Sequence, residues 1–506
     1  MSINIISGVV KYKNKLAIGS TFTNDLLVKN KYDLKIFKEI TTNSLYSSSK
    51  LPKNVIVMGY NTWVSIGCKQ LKNRINIVLT NKHLDKKDTD KVKYKNDINI
   101  YFMNTLQFVE FYKKYSPNVF VIGGGKIYEL FMNPYFLLSN KLSINKIYLT
   151  EFSKDLLSEE VKNKSLEPNI FFPKIRNNFK LIYYHEEESE NLTLLMYKNM
   201  HQKCTTFDAD YSQLIKDIVN KGFYKDDRTN VGTISCFGKD IKIDLTQETP
   251  LLTTKYMNWK AVIEELLWFL RGDTDAKILQ RKGIKIWDGN TSKEFLKSRG
   301  LDYPEGLLGP CYGWQWRHFG AEYDEECADS TIKQTSEGFD QIKEVIRLLK
   351  EEPNSRRIVL SAWNPEYLDK MVLAPCHLMA IFNVHTEYDK IENKLQKYLN
   401  CHLVCRSTDV GLGLPYNIFS YAVLMHILAL KVDMKPKYLY YTGSDVHIYT
   451  NHIKQLTNQI YLNPGVSPIL KLNPEIKDKE IEEIDITDFK IIGYFPDKYI
   501  KMDMAV

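Results

Sequence analysis

Two different rhythms of apolar and polar residues divide this chain. Over the first two hundred positions, short apolar runs rich in β-branched side chains recur at 3–10, 54–58, 75–80, 98–103, 119–122 and 146–150. Runs of this length predict buried strands. Between them apolar positions follow helical spacing, most clearly at 105–115 and 125–132. Strands alternating with helices predict an α/β domain, a mostly parallel sheet with flanking helices. The block 179–199 reads as two strands about an acidic polar turn, so the sheet is expected to end in an antiparallel hairpin.

From residue 206 the rhythm changes. A helix is expected near 211–219, a strongly apolar one over 259–270, a strand over 358–363, and a long apolar helix opening at Leu414-Pro415-Tyr416-Asn417. A chain of 506 residues exceeds what one core holds. The boundaries read as a first domain over 1–200, a short polar join over 201–207 without a Pro/Gly-rich spacer, and a second domain over 208–506.

Composition changes this picture little: 44% hydrophobic and 26% charged residues describe a globular chain. No apolar run reaches the ~18–20 residues of a membrane span, and Met1-Ser2-Ile3-Asn4 opens no secretory signal, so a cytoplasmic protein is expected. The eight cysteines have no framework spacing and are expected to be reduced. One CxxxC, Cys401 to Cys405, without a second pair gives no reason to expect a metal. Charge is more informative. The net +8 splits into +12 over residues 1–200 and −4 over the remainder. The basic half lacks a dense Arg/Lys stripe interleaved with aromatics, so anionic small molecules suit it better than nucleic acid.

Candidate chemistry centres on Ala374-Pro375-Cys376-His377. A thiolate is a nucleophile, and nearby cations favour it over the thiol. Arg228, Arg356, Arg357 and Arg406 are the cations on offer, and arginines also fork onto phosphate oxygens. These residues suggest a cysteine attacking a phosphate-bearing substrate. Glu265 lies on the apolar stripe of the 259–270 helix, where an inward carboxylate suits proton handling, whereas its neighbour Glu264 is expected to be solvated. The aromatic and turn-rich stretch 286–317 suggests a wall on which a flat ligand stacks. Asn417 either caps its helix or offers a donor and an acceptor to a uracil edge. In the first domain, Gly59 and Gly123-Gly124-Gly125 each carry a strand into a helix, as phosphate-binding turns do, although tight turns use glycine too. No GxGxxG fingerprint is present. Asp33, beside Leu34 and Phe37, either borders a buried helix stripe, where its pKa would rise, or faces water at a helix start.

Residues VIVMGYNTWVSI, LKNRINIVLT, VFVIGGGKIYELF and KIYLTEF resemble dihydrofolate reductase, over about residues 3–200. The resemblance implies NADPH held by Ile18, Gly59, Tyr60, Asn61, Thr62, Thr80 and the turn Gly123, Gly124, Gly125, Lys126, Ile127 and Tyr128. It also implies Asp33 holding the pterin with Thr150 in support, Arg74 on the folate glutamate, and Phe37, Ile66 and Ile122 lining the folate pocket. Two departures stand out. A usual Leu-Pro-Trp segment reads Asp25-Leu26-Leu27-Val28, and Asn81 followed by Lys82 replaces a basic residue that commonly meets the cofactor's 2′-phosphate.

The second half, from about residue 206, resembles thymidylate synthase through many separate motifs in the family's order, which implies an α+β fold. The implied nucleophile is Cys376, acting at C6 of dUMP. Arg228, Arg406 and Ser407 would hold the phosphate, joined by Arg356 and Arg357 from a neighbouring subunit, which makes a homodimer. His377, Thr408 and Asp409 belong to the same nucleotide set. Asn417 would read uracil, His447 and Tyr449 the ribose hydroxyl, and Glu265 would organise proton transfers. Trp287, Asn290, Leu412 and Gly413, with Asp409, would face 5,10-methylenetetrahydrofolate under a lid closed by Val506. Departures are Cys405 where the family usually has Gln, and Ile381-Phe382-Asn383 where it has Gln-Phe-Tyr.

Reductase followed by synthase in one chain resembles the bifunctional dihydrofolate reductase–thymidylate synthases. Two rivals remain: a dCMP-hydroxymethylating sibling, expected to carry Asp at position 417, and an active synthase fused to a degenerate reductase-like module.

Overall fold

The computed structural model describes residues 2–20, 27–28, 30–42, 54–81, 100–115, 117–157, 167–200, 206–226, 231–333, 335, 337–389 and 393–504. The chain divides into two compact units, Met1–Cys204 with Phe495–Asp497, and Thr205–Tyr494 with Lys498–Val506.

The first unit is built on one sheet. Its strands are β1 (Ser2–Tyr12), β2 (Lys15–Gly19), β3 (Val55–Gly59), β4 (Ile75–Leu79), β5 (Ile100–Met103), β6 (Asn118–Gly123), β7 (Ile144–Phe152), β8 (Ile170–Phe171), β9 (Phe179–Glu187) and β10 (Leu192–Asn199). They lie in the order β5-β4-β3-β6-β1-β7-β10-β9, with β2 beside β1 and β8 beside β2. Neighbours from β5 to β7 are parallel, and β10 is antiparallel to both β7 and β9. This is the parallel sheet with a terminal hairpin that the sequence predicts. The central strands read as unbroken apolar runs because both faces are covered: Ile3, Ile5, Val55, Ile56, Val57, Val119 and Val121 are all fully buried. At their carboxyl ends β3 runs into the helix Tyr60–Ser65 and β6 into the helix Gly125–Met132. In parallel sheets ligands bind beyond that edge.

The helix Lys31–Thr42 differs from expectation. Leu34 is 54% exposed instead of lying on a buried stripe, Phe37 is half-buried, and Thr41 is the one fully buried position. Phe37 and Ile40 pack on the cluster of Ile56, Met58 and Trp63, and Asp33 sits in the first turn of the same helix.

In the second unit the main sheet comprises β11 (Phe223–Lys225), β12 (Thr233–Asp244), β13 (Val359–Ser361), β14 (His377–Asp389), β15 (Lys394–Asp409) and β16 (Lys435–Tyr449), ordered β11-β12-β16-β15-β14-β13. Only the β15–β16 pair is parallel. A small sheet joins β17 (Ile469–Leu472) to β18 (Phe489–Ile492). The expected helix near 211–219 spans Phe207–Lys221, and the apolar one spans Trp259–Arg271. The helix Leu414–Lys431 has twelve of its eighteen residues buried, so it is core on nearly every side. It packs on β15 and β16 and against the helix Trp259–Arg271. Glu264 corrects the expectation of a solvated residue: it is 7% exposed and paired with Lys282 at 2.6 Å. That pairing satisfies a carboxylate which would otherwise be costly to bury.

Among the described residues, no group of His, Cys, Asp and Glu is arranged to hold a metal, and no helix is long and apolar enough to cross a membrane.

Candidate active sites

Cys376 is the last residue before β14, half-buried and outside any disulfide. Its N–H donates to Tyr312 Oη at 2.8 Å, and its carbonyl accepts the Arg406 N–H from β15 at 2.9 Å. The Arg406 side chain folds back on the same loop. Nε donates to the Pro375 carbonyl at 3.0 Å, Nη2 to the Ala374 carbonyl at 2.7 Å, and Nη2 stands 4.0 Å from Cys376 Sγ. The guanidinium lies over the Trp363 ring at 5.7 Å. A fixed cation against the sulfur favours thiolate. His377 is not a second cation. It is buried, stacked on Tyr312 at 4.3 Å and bonded through Nδ1 to Tyr421 Oη at 3.0 Å, and burial lowers its pKa to about 3.

Strand β15 supplies the next residues. In the parallel register Ser407 faces Asp445 and Asp409 faces His447. His447 Nδ1 is 3.1 Å from Asp445 Oδ1, and its ring meets Tyr449 edge to face at 5.2 Å. Thr408 turns into the core, where Tyr441 Oη donates to its Oγ1 at 2.8 Å. Tyr441 reaches it by passing Gly443, where a Cβ would lie 2.1 Å from that hydroxyl. Asp409 Oδ1 accepts the Gly411 N–H at 2.7 Å and so shapes the turn that holds Leu412 and Gly413. Lys255 fixes the other side of this turn, donating to the Gly411 carbonyl at 2.7 Å, and burial lowers its pKa to about 8.

Asn417 does not cap its helix. Gly413 holds the N-cap position, the Asn417 N–H already bonds to the Gly413 carbonyl at 3.0 Å, and its half-buried amide side chain has no partner among the described residues. Glu265 Oε1 accepts the Trp287 Nε1–H at 2.8 Å, and burial pushes its pKa up to about 7. Trp287 stands 6.1 Å from Tyr312, so the residues around Glu265 and the Cys376 loop share an aromatic contact. Asn290 is buried in the same segment. The expected aromatic wall is otherwise core, since Trp314 and Trp316 are fully buried. Arg356 and Arg357 are exposed before β13, with no side-chain ion pair among the described residues. Arg228 and Val506 lie outside the described residues.

In the first unit, Asp33 Oδ1 accepts Thr150 Oγ1–H at 2.6 Å, and burial raises its pKa. Phe37, Ile66, Ile122 and Tyr60 are half-buried around one apolar cluster containing Ile56, Met58 and Trp63. Arg74 is 5% exposed, lies over the Phe37 ring at 5.6 Å, and donates to Thr41 Oγ1 at 2.6 Å and the Lys72 carbonyl at 3.1 Å. Gly123 takes φ +134°, and a Cβ on Gly124 would come within 3.2 Å of Thr62 Oγ1. Gly124 opens the helix Gly125–Met132 with an N-terminus free of any side-chain cap. Ile18 and Ile127 are half-buried, Asn61 and Lys126 exposed, and Thr80 bonds through its N–H to the Met103 carbonyl at 3.0 Å. Gly59 packs so closely on Ile127 that a Cβ would lie 2.9 Å from it. Tyr128 instead turns inward, its hydroxyl donating to the Ile6 carbonyl at 2.8 Å. Asp25, Leu26 and Lys82 lie outside the described residues.

The thymidylate synthase family profile matches residues 209–506, and the dihydrofolate reductase profile matches residues 5–202. A bifunctional dihydrofolate reductase-thymidylate synthase of Zea mays is 37% identical, covering 94% of this chain and 92% of its own. The enzyme of that name from Paramecium tetraurelia is 36% identical over 96% of each chain, and that from Plasmodium chabaudi is 34% identical over 99% and 90%. The chain belongs to the bifunctional dihydrofolate reductase–thymidylate synthase family. It is therefore a two-activity enzyme, and the reading of a lone synthase with a structural appendage gives way.

In this family setting the departures acquire positions. Cys405 is buried in register with His377, and burial raises its thiol pKa, so it stays neutral beside the Cys376 loop. Phe382 is core, while Asn383 is exposed on the sheet. Sequence reasoning missed Tyr312 and Lys255 in the synthase unit. Tyr312, at φ +23°, is a strained buried residue whose hydroxyl serves a peptide 64 positions away. The positively charged Lys255 within an apolar, threonine-rich segment was a legible signal, because a lysine is seldom buried without a task.

Proposed function

We propose that the synthase unit methylates dUMP to dTMP with 5,10-methylenetetrahydrofolate and that the reductase unit returns the resulting dihydrofolate to tetrahydrofolate with NADPH. The observation that carries this reading is the Arg406 guanidinium locked by two carbonyls of the nucleophile's own loop, with Nη2 4.0 Å from Cys376 Sγ.

Cys376 attacks C6 of the uracil. The Sγ–C6 bond forms as the C5–C6 π pair moves toward O4, and C5 becomes the nucleophile that takes the folate's one-carbon unit. The folate is both carbon donor and reductant, so it leaves as dihydrofolate. Glu265, poised near neutral pH, can carry protons in either direction at the base. The uncommitted amide of Asn417 suits the O4/N3 edge of uracil, and His447 with Tyr449 would meet the ribose hydroxyl. Arg406 and Ser407, with Arg228, would hold the phosphate. The exposure of Arg356 and Arg357, with no side-chain ion pair among the described residues, supports their supply from a partner subunit, hence a homodimer. Trp287, Asn290, Leu412, Gly413 and Asp409 would face the folate, with Val506 closing over it.

In the reductase unit Asp33, neutral more readily than an ordinary carboxylate and held by Thr150, suits a pterin and the proton its reduction requires. The Nη2 edge of Arg74 is uncommitted among the described residues and suits a folate carboxylate. The glycine-lined entry to the helix Gly125–Met132 fits a phosphate-bearing dinucleotide, since backbone can approach there and a helix N-terminus favours anions. NADPH, when bound, supplies the hydride.

The test is direct. Purified chain should form dTMP from dUMP and, in a separate assay, oxidise NADPH in the presence of dihydrofolate; failure of either overturns that half of the proposal. Comparing dUMP with dCMP for the wild type and Asn417→Asp tests the base reading. The wild type should prefer dUMP and the variant should shift toward dCMP.

A further inference from the structure

Asp33 is the third residue of its helix, and its backbone is held by a chain of side-chain bonds. Asn30 Oδ1 accepts the Asp33 N–H at 2.9 Å, and the Asn30 carbonyl accepts the Leu34 N–H at 3.2 Å. The other end of the same amide, Nδ2, donates to Glu190 Oε2 at 2.8 Å across 160 residues. Glu190 belongs to the one-turn helix Glu188–Glu190 at the tip of the β9–β10 hairpin, which Asn191 closes at φ +50°. Tyr32, next to Asp33, bonds to Glu187 of the same hairpin, and Ser189 Oγ braces that carboxylate at 2.6 Å.

A carboxylate only accepts, so Glu190 dictates which way the Asn30 amide faces. Nδ2 must turn to Glu190, and Oδ1 is thereby aimed at the Asp33 N–H. Strand β10 also pairs Leu194 with Thr150, whose hydroxyl holds the Asp33 carboxylate. The hairpin thus meets both ends of Asp33, the peptide through Asn30 and the side chain through the neighbouring strand.

We propose that Glu190, acting through Asn30, is a positioning residue for Asp33 in dihydrofolate reduction; this rests on the reading of Asp33 as the pterin carboxylate. Loss of the clamp leaves the site's surfaces intact and lets the carboxylate drift, which weakens use of dihydrofolate without affecting NADPH.

The synthase activity of the same purified chain serves as the internal control. In Glu190→Ala, kcat/KM for dihydrofolate should fall on the order of fivefold, with KM for NADPH and the dTMP-forming rate unchanged. Glu190→Gln keeps an acceptor for Nδ2 but can also donate, so it should recover part of the lost kcat/KM and fall short of the wild-type value. In an Asn30→Ala background, Glu190→Ala should add nothing, because the bridge is already gone. An unchanged kcat/KM in Glu190→Ala, full additivity with Asn30→Ala, or a parallel rise in KM for NADPH overturns the proposal. Asp33→Asn tests the underlying reading separately: if it still reduces dihydrofolate at the parental rate, the role of Asp33 fails whatever the Glu190 series shows.

Discussion

The two active regions of this chain solve opposite problems. Around Cys376 several polar groups are tied to backbone: Arg406 to two carbonyls, Tyr312 to the Cys376 N–H, Lys255 to the Gly411 carbonyl. Around Asp33 one side-chain hydroxyl meets the carboxylate, and Phe37 of the same helix packs half-buried on an apolar cluster. The contrast follows from the chemistry. On the proposed reading, a covalent attack requires the sulfur at bonding distance with its charge already stabilised, which favours a thiol fixed in advance. Hydride transfer occurs between two bound molecules, and the protein need only hold flat surfaces together and offer one proton-handling group.

This difference can be broken most severely at the sulfur. Cys376→Ser should reduce dTMP formation by at least ~10³-fold, while NADPH oxidation with dihydrofolate continues at the parental rate. Asp33→Asn should do the reverse, lowering dihydrofolate reduction by roughly 10²–10⁴-fold at pH 7 and leaving dTMP formation intact. If either variant damages both activities, the two sites are not the independent devices described here. Tyr312→Phe removes the acceptor of the Cys376 N–H. An orphaned donor of this kind costs about 1–3 kcal/mol of stability, and the freed Cys376 peptide should lower kcat for dTMP formation on the order of tenfold, with a smaller change in KM for dUMP.

The smallest effect concerns Glu265. Burial raises its folded pKa from 4.5 to about 7. For a carboxyl shifted upward, the folded state holds the proton more tightly than the unfolded one. The linked stability is therefore full below about pH 4.5 and is lost as pH rises through about 7. Glu265→Gln cannot lose a proton, so its stability relative to the wild type should improve by ~1–3 kcal/mol between pH 5 and pH 8. Thermal unfolding at the two values checks this. The same variant should erase an ionisation near pH 7 from the synthase kcat/KM profile.

Local pattern accounts for much of the architecture. Residues 105–115 and 125–132 have the helical spacing and the described helices occupy those residues, while the acidic turn near Glu188 does separate two antiparallel strands. These elements were legible because periodicity records which face of a segment meets the core. The sidedness of helix 31–42 was not legible, because Leu34 is exposed and Phe37 only half-buried, and apolar character alone does not say which face the core will cover. Glu264 and Glu265 show the same limit at one-residue resolution. Both are buried enough to need a partner, and Lys282 and Trp287 come from segments whose approach no helical spacing encodes.

Residue types and their order determined the list of chemical groups: a thiol beside a proline, arginines, an asparagine opening an apolar helix, a carboxylate near glycine-led turns. They also determined the alternation that builds a parallel sheet. Only the tertiary structure decided which groups meet, with Arg406 turned onto the Cys376 loop, Tyr312 beneath its peptide, His377 neutral among aromatics, and Glu190 joined to Asn30. The reason is one of range. Periodicity is set by neighbours within a turn or two of chain, whereas a hydrogen bond or a pKa is set by atoms that packing brings from dozens or hundreds of residues away.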